Sequence, residues 1–244
     1  MSTMKLGKIT TQSDGGPKRR YDDACGTAHA LELVGERWAL LIVRELMLGP
    51  KRFSDLRADL PGLSANVLTQ RLEGLEATGI LTRRRLPPPA PAQVYALTPW
   101  GLEAETFVKS MGRWAARSPG HDPTMQISAT STILSFRTMF EPTRAAGFNA
   151  LVGLRMDDQS FFARFEDGTM IADRTPAGGS IEDADVILTG SPRAVAGFVH
   201  GGQPLDAMVA AGALQIHGDR AVAERFATLF PLPDKIALPP TARA

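Results

Sequence analysis

The sequence holds a single cysteine, Cys25, so no disulfide can form within the chain, and the fold must stand without one. No long apolar run occurs: the strongest, Ala39 to Val43, is far short of the ~20 residues a helix needs to cross a bilayer, so no membrane partner is expected. The opening MSTMKLGKITTQSDGG lacks the continuous apolar segment of a secretory signal, which points to the cytoplasm. The four histidines, His29, His121, His200 and His217, show no His-x-x-x-His spacing, and one cysteine cannot make a Cys pair, so no metal site is expected. Gly178-Gly179 and Gly201-Gly202 follow no strand-to-helix phosphate motif, and Asp157-Asp158 and Asp183 with Asp185 read as solvated loop carboxylates. These absences predict a protein that is not an enzyme and carries no cofactor.

What is present describes an ordinary globular chain: 43% of residues are hydrophobic and 22% charged. The net charge of +1 hides a division, because residues 1–120 hold 17 Lys and Arg against 12 Asp and Glu, whereas 121–244 hold 10 against 14. The basic half is the one suited to meet phosphates. Residues 1–20 are polar, end in Lys18-Arg19-Arg20 and show no apolar period, so they read as a disordered arm. The turn-rich stretch from Arg117 to Pro123 lies where the charge balance changes sign. It predicts two domains, over 21–118 and 128–235, with a linker at 119–127 and a tail at 236–244.

The first of these reads as short helices followed by a hairpin. Ala28 to Val34 forms a helix ended by Gly35, and Trp38, Leu41, Ile42 and Leu46 recur at helical spacing until Gly49-Pro50. Phe53 to Leu60 makes another short helix, Pro61-Gly62 turns the chain, and Ser64 caps a helix running to about Thr78. In that helix Leu68, Leu72 and Leu75 share one face, which leaves Asn66, Thr69, Gln70 and Glu73 on or near the other. Strands follow over Ile80 to Arg85 and Val94 to Thr98, joined by a proline-stiffened tip from Leu86 to Ala92.

A major groove ~12 Å wide admits one helix, whose N-terminal side chains reach base edges while flanking cations hold phosphates. Asn66 and Gln70 suit bidentate pairing with adenine, helped by Ser64 and Thr69, and Lys51, Arg52, Arg71, Arg83, Arg84 and Arg85 are available for the backbone. Strand alternation sends Arg83 and Arg85 to one side and Arg84 to the other, so at most two of them face the same phosphates. Solvated arginines are the alternative. Double-stranded DNA is therefore the expected partner.

The segments Gly-x-x-Trp, Gly-Pro-Lys-Arg-Phe, Leu-Ser-x-x-Val-Leu-Thr-x-Arg-Leu and Tyr-x-Leu-Thr, in that order over about 24–117, resemble the HxlR-type winged helix-turn-helix regulators of transcription. The resemblance implies a homodimer, packed through the helix after the wing, on a roughly palindromic operator. Independently, Trp100, Ala104, Phe107, Val108, Met111, Trp114 and Ala115 form an apolar stripe long enough for a partner helix, unless it covers only its own domain. Two departures from the family concern the wing, which is richer in proline and carries Val94 where a carboxylate is common. Cys25 stands where members often carry a thiol that senses oxidants, though Gly26 follows it in place of the usual Pro. A nearby basic cluster would favour the thiolate. A small buried residue at a helix start is the other reading.

The second half changes period. Ala150, Val152, Leu154 and Met156 alternate, as do Phe161, Ala163 and Phe165, and Asp167-Gly168 signals a hairpin turn into Thr169 to Asp173. A strand at Asp185 to Leu188, a helix from Ser191-Pro192 to Gly201, a segment from Gln203 to Ala211, a strand at Leu214 to His217 and a helix from Asp219 to Phe230 complete an α+β unit on an antiparallel sheet. The phrases Ala-Asp-Val-Ile-Leu-Thr-Gly-Ser-Pro, Gly-Ala-Leu-Gln-Ile-His-Gly-Asp and Arg-Phe-Ala-Thr-Leu-Phe resemble a sterol-carrier-protein domain over about 128–232. That resemblance implies an apolar cavity for a lipid-like molecule, with Phe140, Leu154, Phe161, Phe165, Phe198 and Met208 as candidate lining; a closed core is the alternative. The whole reading is a multidomain regulator, an α+β winged helix followed by an α+β sensing domain. Its rival is a lipid carrier whose winged helix serves as a protein-interaction module.

Overall fold

The computed structural model describes residues 21–86 and 91–237. The expected arm over 1–20, most of the proline tip and the end of the tail lie outside the described residues. Helices α1 (Gly26–Val34), α2 (Ala39–Glu45), α3 (Phe53–Asp59) and α4 (Ala65–Ala77) come first, followed by the antiparallel hairpin β1 (Leu81–Arg85) and β2 (Gln93–Leu97). Ser64 caps α4 by accepting a hydrogen bond from the Val67 amide. Leu68, Leu72 and Leu75 are buried beneath it. Gly79 ends the element at a φ of 75°, a conformation that a side chain would strain.

The apolar stripe after the wing predicts one helix, and the structure makes two, α5 (Pro99–Glu103) and α6 (Glu105–Ala116). Thr98 caps the first and Pro99 opens it, while Gly101 lies against the Ile80 carbonyl where no Cβ fits.

The second half opens on α7 (Ala129–Met139), which the sequence pattern did not announce. Strands β3 (Ala150–Met156), β4 (Gln159–Glu166) and β5 (Thr169–Arg174) then form a meander. Asp167 and Gly168 both take positive φ, 49° and 74°, the backbone that a two-residue hairpin with right-twisted strands requires. β6 (Val186–Gly190), α8 (Pro192–Val199), α9 (Leu205–Ala210), β7 (Leu214–Gly218) and α10 (Arg220–Ala227) complete the chain in a sheet of order β5-β4-β3-β6-β7.

The sheet is mixed, not purely antiparallel, because β6 runs parallel to β3. The chain leaves β5 at one edge and returns along the sheet to start β6 beside β3 in the same direction. Gly153 makes that path possible: a Cβ there would lie 3.1–3.3 Å from Ile187, Ile181 and Ala184.

Val152, Leu154, Phe161, Ala163, Phe165, Val186 and Leu188 are buried on the sheet face that α7, α8 and α10 cover. The buried apolar cluster does not stop at the second half. It runs without interruption from Ala39 and Ile42 in α2 through Phe136 in α7 to Phe230. Polar contacts cross the same junction: Arg137 of the second half pairs with Glu105 of the first at 3.0 Å, Arg113 Nη1 donates to the Thr138 carbonyl at 3.2 Å, and Arg174 Nε donates to the Leu48 carbonyl. The chain end adds a clasp, in which the Ile236 amide donates to the Arg117 carbonyl and Lys235 Nζ to that of Ser118. Residues 119–126 are exposed, yet the parts they join are packed together.

Candidate nucleic-acid interface

The N-terminal half of α4 presents Asn66, Thr69 and Gln70 to solvent, opposite its buried leucines. Thr69 Oγ1 donates back to the Ala65 carbonyl at 3.0 Å, whereas Asn66 and Gln70 bond no other protein group among the described residues. Their amides are free to offer a donor and an acceptor side by side.

The six cations expected to hold phosphates divide sharply. Arg52, Arg84 and Arg85 are exposed, at the start of α3 and along β1. Arg83 is tied down: its Nε pairs with Glu76 of α4 at 2.9 Å and its guanidinium lies 5.7 Å from the Tyr95 ring. Arg71 faces back into the protein, with Nη2 on Glu36 at 2.9 Å and Nε on the Arg37 carbonyl at 3.1 Å.

Lys51 corrects the sequence expectation outright. Its side chain is 5% exposed, and its ammonium donates to Glu45 at 2.8 Å, Asp59 at 2.6 Å and Thr130 at 2.9 Å. All three of its N–H groups are used, so no phosphate can reach it. Burial alone would push the Glu45 carboxyl up; the charges of Lys51 and Arg44 and the bonds from Lys51 and Ser128 outweigh that and hold it below its usual range.

One exposed cation escaped the sequence reading. Arg37 stacks over Trp38 at 5.3 Å, and Trp38 itself sits at a φ of 79°, beside Gly62 in the turn before α4. The loop before α2 reads in sequence as scaffold, because only the fold brings it against the base of α4 through Arg71.

On the far side, Trp100, Phe107, Met111 and Trp114 are 41–76% exposed. Val108 is half-buried, and Ala104 faces its own domain at 7%. Between α1 and this face lies an open apolar cavity of about 290 Å³ lined by Leu33, Val34, Ile80, Trp100 and Phe107. Cys25 is exposed at the N-cap of α1, not buried. The Thr27 backbone and side chain and the Ala28 amide, at the start of α1, favour its thiolate and hold the thiol below the ordinary value. The cause is a helix N-terminus; the basic cluster at 18–20 lies outside the described residues.

In the second half, Leu154, Phe161, Phe165, Phe198 and Met208 are all buried. Aromatic rings pack among them: Phe136, Phe226 and Phe230 sit ring to ring at 4.8–5.5 Å, with Phe165 5.9 Å from Phe226. Phe140 lines an open cleft, beside Lys109, Arg137, Met170 and Ile171. His200 packs on Phe136 and Phe230, with Nε2 2.8 Å from Ser135 Oγ and Nδ1 3.3 Å from the Phe230 carbonyl. Burial pushes its imidazole down to about 4, against the opposing bond to that carbonyl.

A capped helix after a tight turn, with a basic hairpin beside it, defines a winged helix-turn-helix protein. Residues 33–122 match the family described as HxlR-like helix-turn-helix, and residues 141–231 match the SCP-2 sterol transfer family. An uncharacterized HTH-type transcriptional regulator of Synechocystis sp., sll1512, is 35% identical over 101 residues, covering 41% of this chain and 75% of the relative. YtfH of Escherichia coli, described in the same words, is 36% identical over 94 residues, 38% of this chain and 75% of the relative. The HTH-type transcriptional regulator YodB of Bacillus subtilis is 37% identical over 86 residues, 35% of this chain and 77% of the relative. The chain belongs to the HxlR-like helix-turn-helix family, with a C-terminal SCP2 domain.

Proposed function

We propose that this helix-turn-helix transcription regulator binds a roughly palindromic operator as a homodimer, with α4 in the major groove. The observation that carries the reading is the α4 surface, where the unpaired amides of Asn66 and Gln70 stand on a Ser64-capped helix beside exposed Arg52, Arg84 and Arg85. Amides read adenine edges, and the arginines hold phosphates without regard to sequence. The exposed Trp100, Phe107, Met111 and Trp114 support a partner copy on that face. Two copies would then present half-sites ~34–36 Å apart or a multiple of it. No catalytic role is assigned. The reading places the protein in the cytoplasm; among the described residues no helix is long and apolar enough to cross a membrane.

Modulation by an apolar molecule in the C-terminal half draws support from the SCP-2 family match. Such a ligand acts only by preferring one arrangement of the DNA-reading helices, with a coupling of ~1–3 kcal/mol. Native mass spectrometry of protein from its own host reports both the dimer and any retained lipid.

The DNA reading is tested by selecting duplexes from a random pool with the full chain, then measuring mobility shifts. Asn66→Ala with Gln70→Ala should abolish preference for the selected site and leave binding to scrambled duplex intact. Preference that survives both changes would assign the readout elsewhere.

A further inference from the structure

The network around Lys51 joins elements that belong to different halves of the chain. Glu45 lies at the end of α2, Asp59 is the last residue of α3, and Thr130 is in the first turn of α7. Lys51 also bridges to β2, its amide donating to the Tyr95 carbonyl and its carbonyl accepting from the Tyr95 amide. One residue therefore touches the helix before the recognition helix, the wing and the second half. Glu45, with no exposed surface, extends the contact by accepting from Ser128 Oγ at 2.7 Å. Ser128 in turn caps α7 through the Ser131 amide.

We propose that the C-terminal half sets the geometry of the DNA-reading helices through this junction, and that Thr130 and Ser128 are positioning residues for operator binding. The proposal rests on the DNA reading given above and names how the second half bears on it.

Three facts favour positioning over simple cohesion. First, Asp59 closes α3 immediately before the Leu60–Leu63 turn, after which Ser64 starts α4, so a shift of Asp59 is carried directly into the recognition helix. Second, an ammonium in a dry site needs every N–H satisfied, so the Lys51 head follows its acceptors and draws Asp59 with it when Thr130 moves. Third, other polar contacts across the junction among the described residues, Arg137 with Glu105, Arg113 with the Thr138 carbonyl and Arg174 with the Leu48 carbonyl, do not touch α3 or α4. They hold the halves together. Of the polar contacts across the junction among the described residues, those of Lys51 are the ones that reach α3.

The full chain tests this, with Thr130→Val, Thr130→Ser, Ser128→Ala and Lys51→Met, and Arg137→Met as a control that loosens the junction elsewhere. Measured for each are affinity for the selected duplex and for a scrambled one, the salt dependence of both, and the thermal midpoint. Thr130→Val, which keeps the shape and removes one acceptor, should weaken binding to the selected duplex at least about fivefold, the lower end of ordinary coupling between sites. Scrambled binding and the salt slope should stay as in the wild type, and Thr130→Ser should restore affinity. Arg137→Met should lower the midpoint while keeping the selected-to-scrambled ratio.

If Thr130→Val and Ser128→Ala lower the midpoint but leave that ratio within about twofold, the junction is cohesive only and the proposal fails. A salt slope that drops by about one in Lys51→Met would make Lys51 a phosphate contact and overturn it as well. A wild type with no sequence preference would instead refute the DNA reading, and this inference with it.

Discussion

Arg71 commits its guanidinium to Glu36 and to the Arg37 carbonyl, whereas Arg84 projects from β1 without an ion-pair partner among the described residues. Removing each charge should therefore read differently against salt. Arg84→Ala should reduce the slope of log affinity on log salt by ~0.9, the yield of one lost phosphate contact, and weaken all duplexes alike. Arg71→Gln should leave the slope unchanged and weaken the selected duplex most, because the loop at Glu36–Trp38 loses its hold on α4; equal slope losses in both variants would contradict this. His200 makes a prediction against pH. Its folded value, about 4, lies below its ordinary 6.5, so the unfolded chain binds the proton first and stability falls as pH drops between those limits. Thermal midpoints should decline over that window in the wild type and decline less in His200→Gln; parallel curves would clear His200 of the effect. At this scale sequence gives charge but not address. Lys51 and Arg52 are adjacent in Gly-Pro-Lys-Arg-Phe, yet one is sealed by Asp59 and Thr130 and the other is exposed, and the deciding partner is 79 residues away.

Helix α6 carries Phe107, Met111 and Trp114 on an exposed face, and each is costly to leave in water. Trp114→Asp with Phe107→Asp should shift the protein to monomer in sedimentation and cost affinity for a two-half-site duplex more than for a single half-site. A dimer that persists would place the interface on another surface. This stripe was legible because one face is apolar and the other polar. Helix α7 was not, and the reason is physical: Thr130 and Thr132 are buried along with Ala129, Ile133, Leu134, Phe136 and Met139, so polarity does not mark its outer side, a narrow half-buried line of Ser131, Ser135 and Thr138. Its β-branched residues add no helical preference. The strands of the second half were clear from alternation, but the parallel pairing of β3 with β6 was not, since strand direction depends on the route of the segment between β5 and β6. The aromatic residues expected around a cavity look the same in sequence whether they line space or fill it.

The continuous core from α2 to α10 means that the molecule should melt as one unit. Calorimetry should show a single transition whose calorimetric and van't Hoff enthalpies agree; two resolved transitions would mean that the halves unfold separately. The sequence marked a change of charge and a turn-rich stretch near residue 120, and those features are real, but they do not say whether two units are tethered or fused. That depends on contacts such as Lys51 with Thr130 and Arg137 with Glu105, which no local pattern announces. The enclosure of Lys51 also has a practical side. An amine whose three hydrogens are held and whose surface is closed to water does not meet an acylating reagent, while the half-exposed Lys109 does. Mass-spectrometric labelling of lysines should then leave Lys51 unmodified for as long as the two halves stay joined, and its acylation would time the opening of the junction directly, with DNA, lipid or acid added in turn.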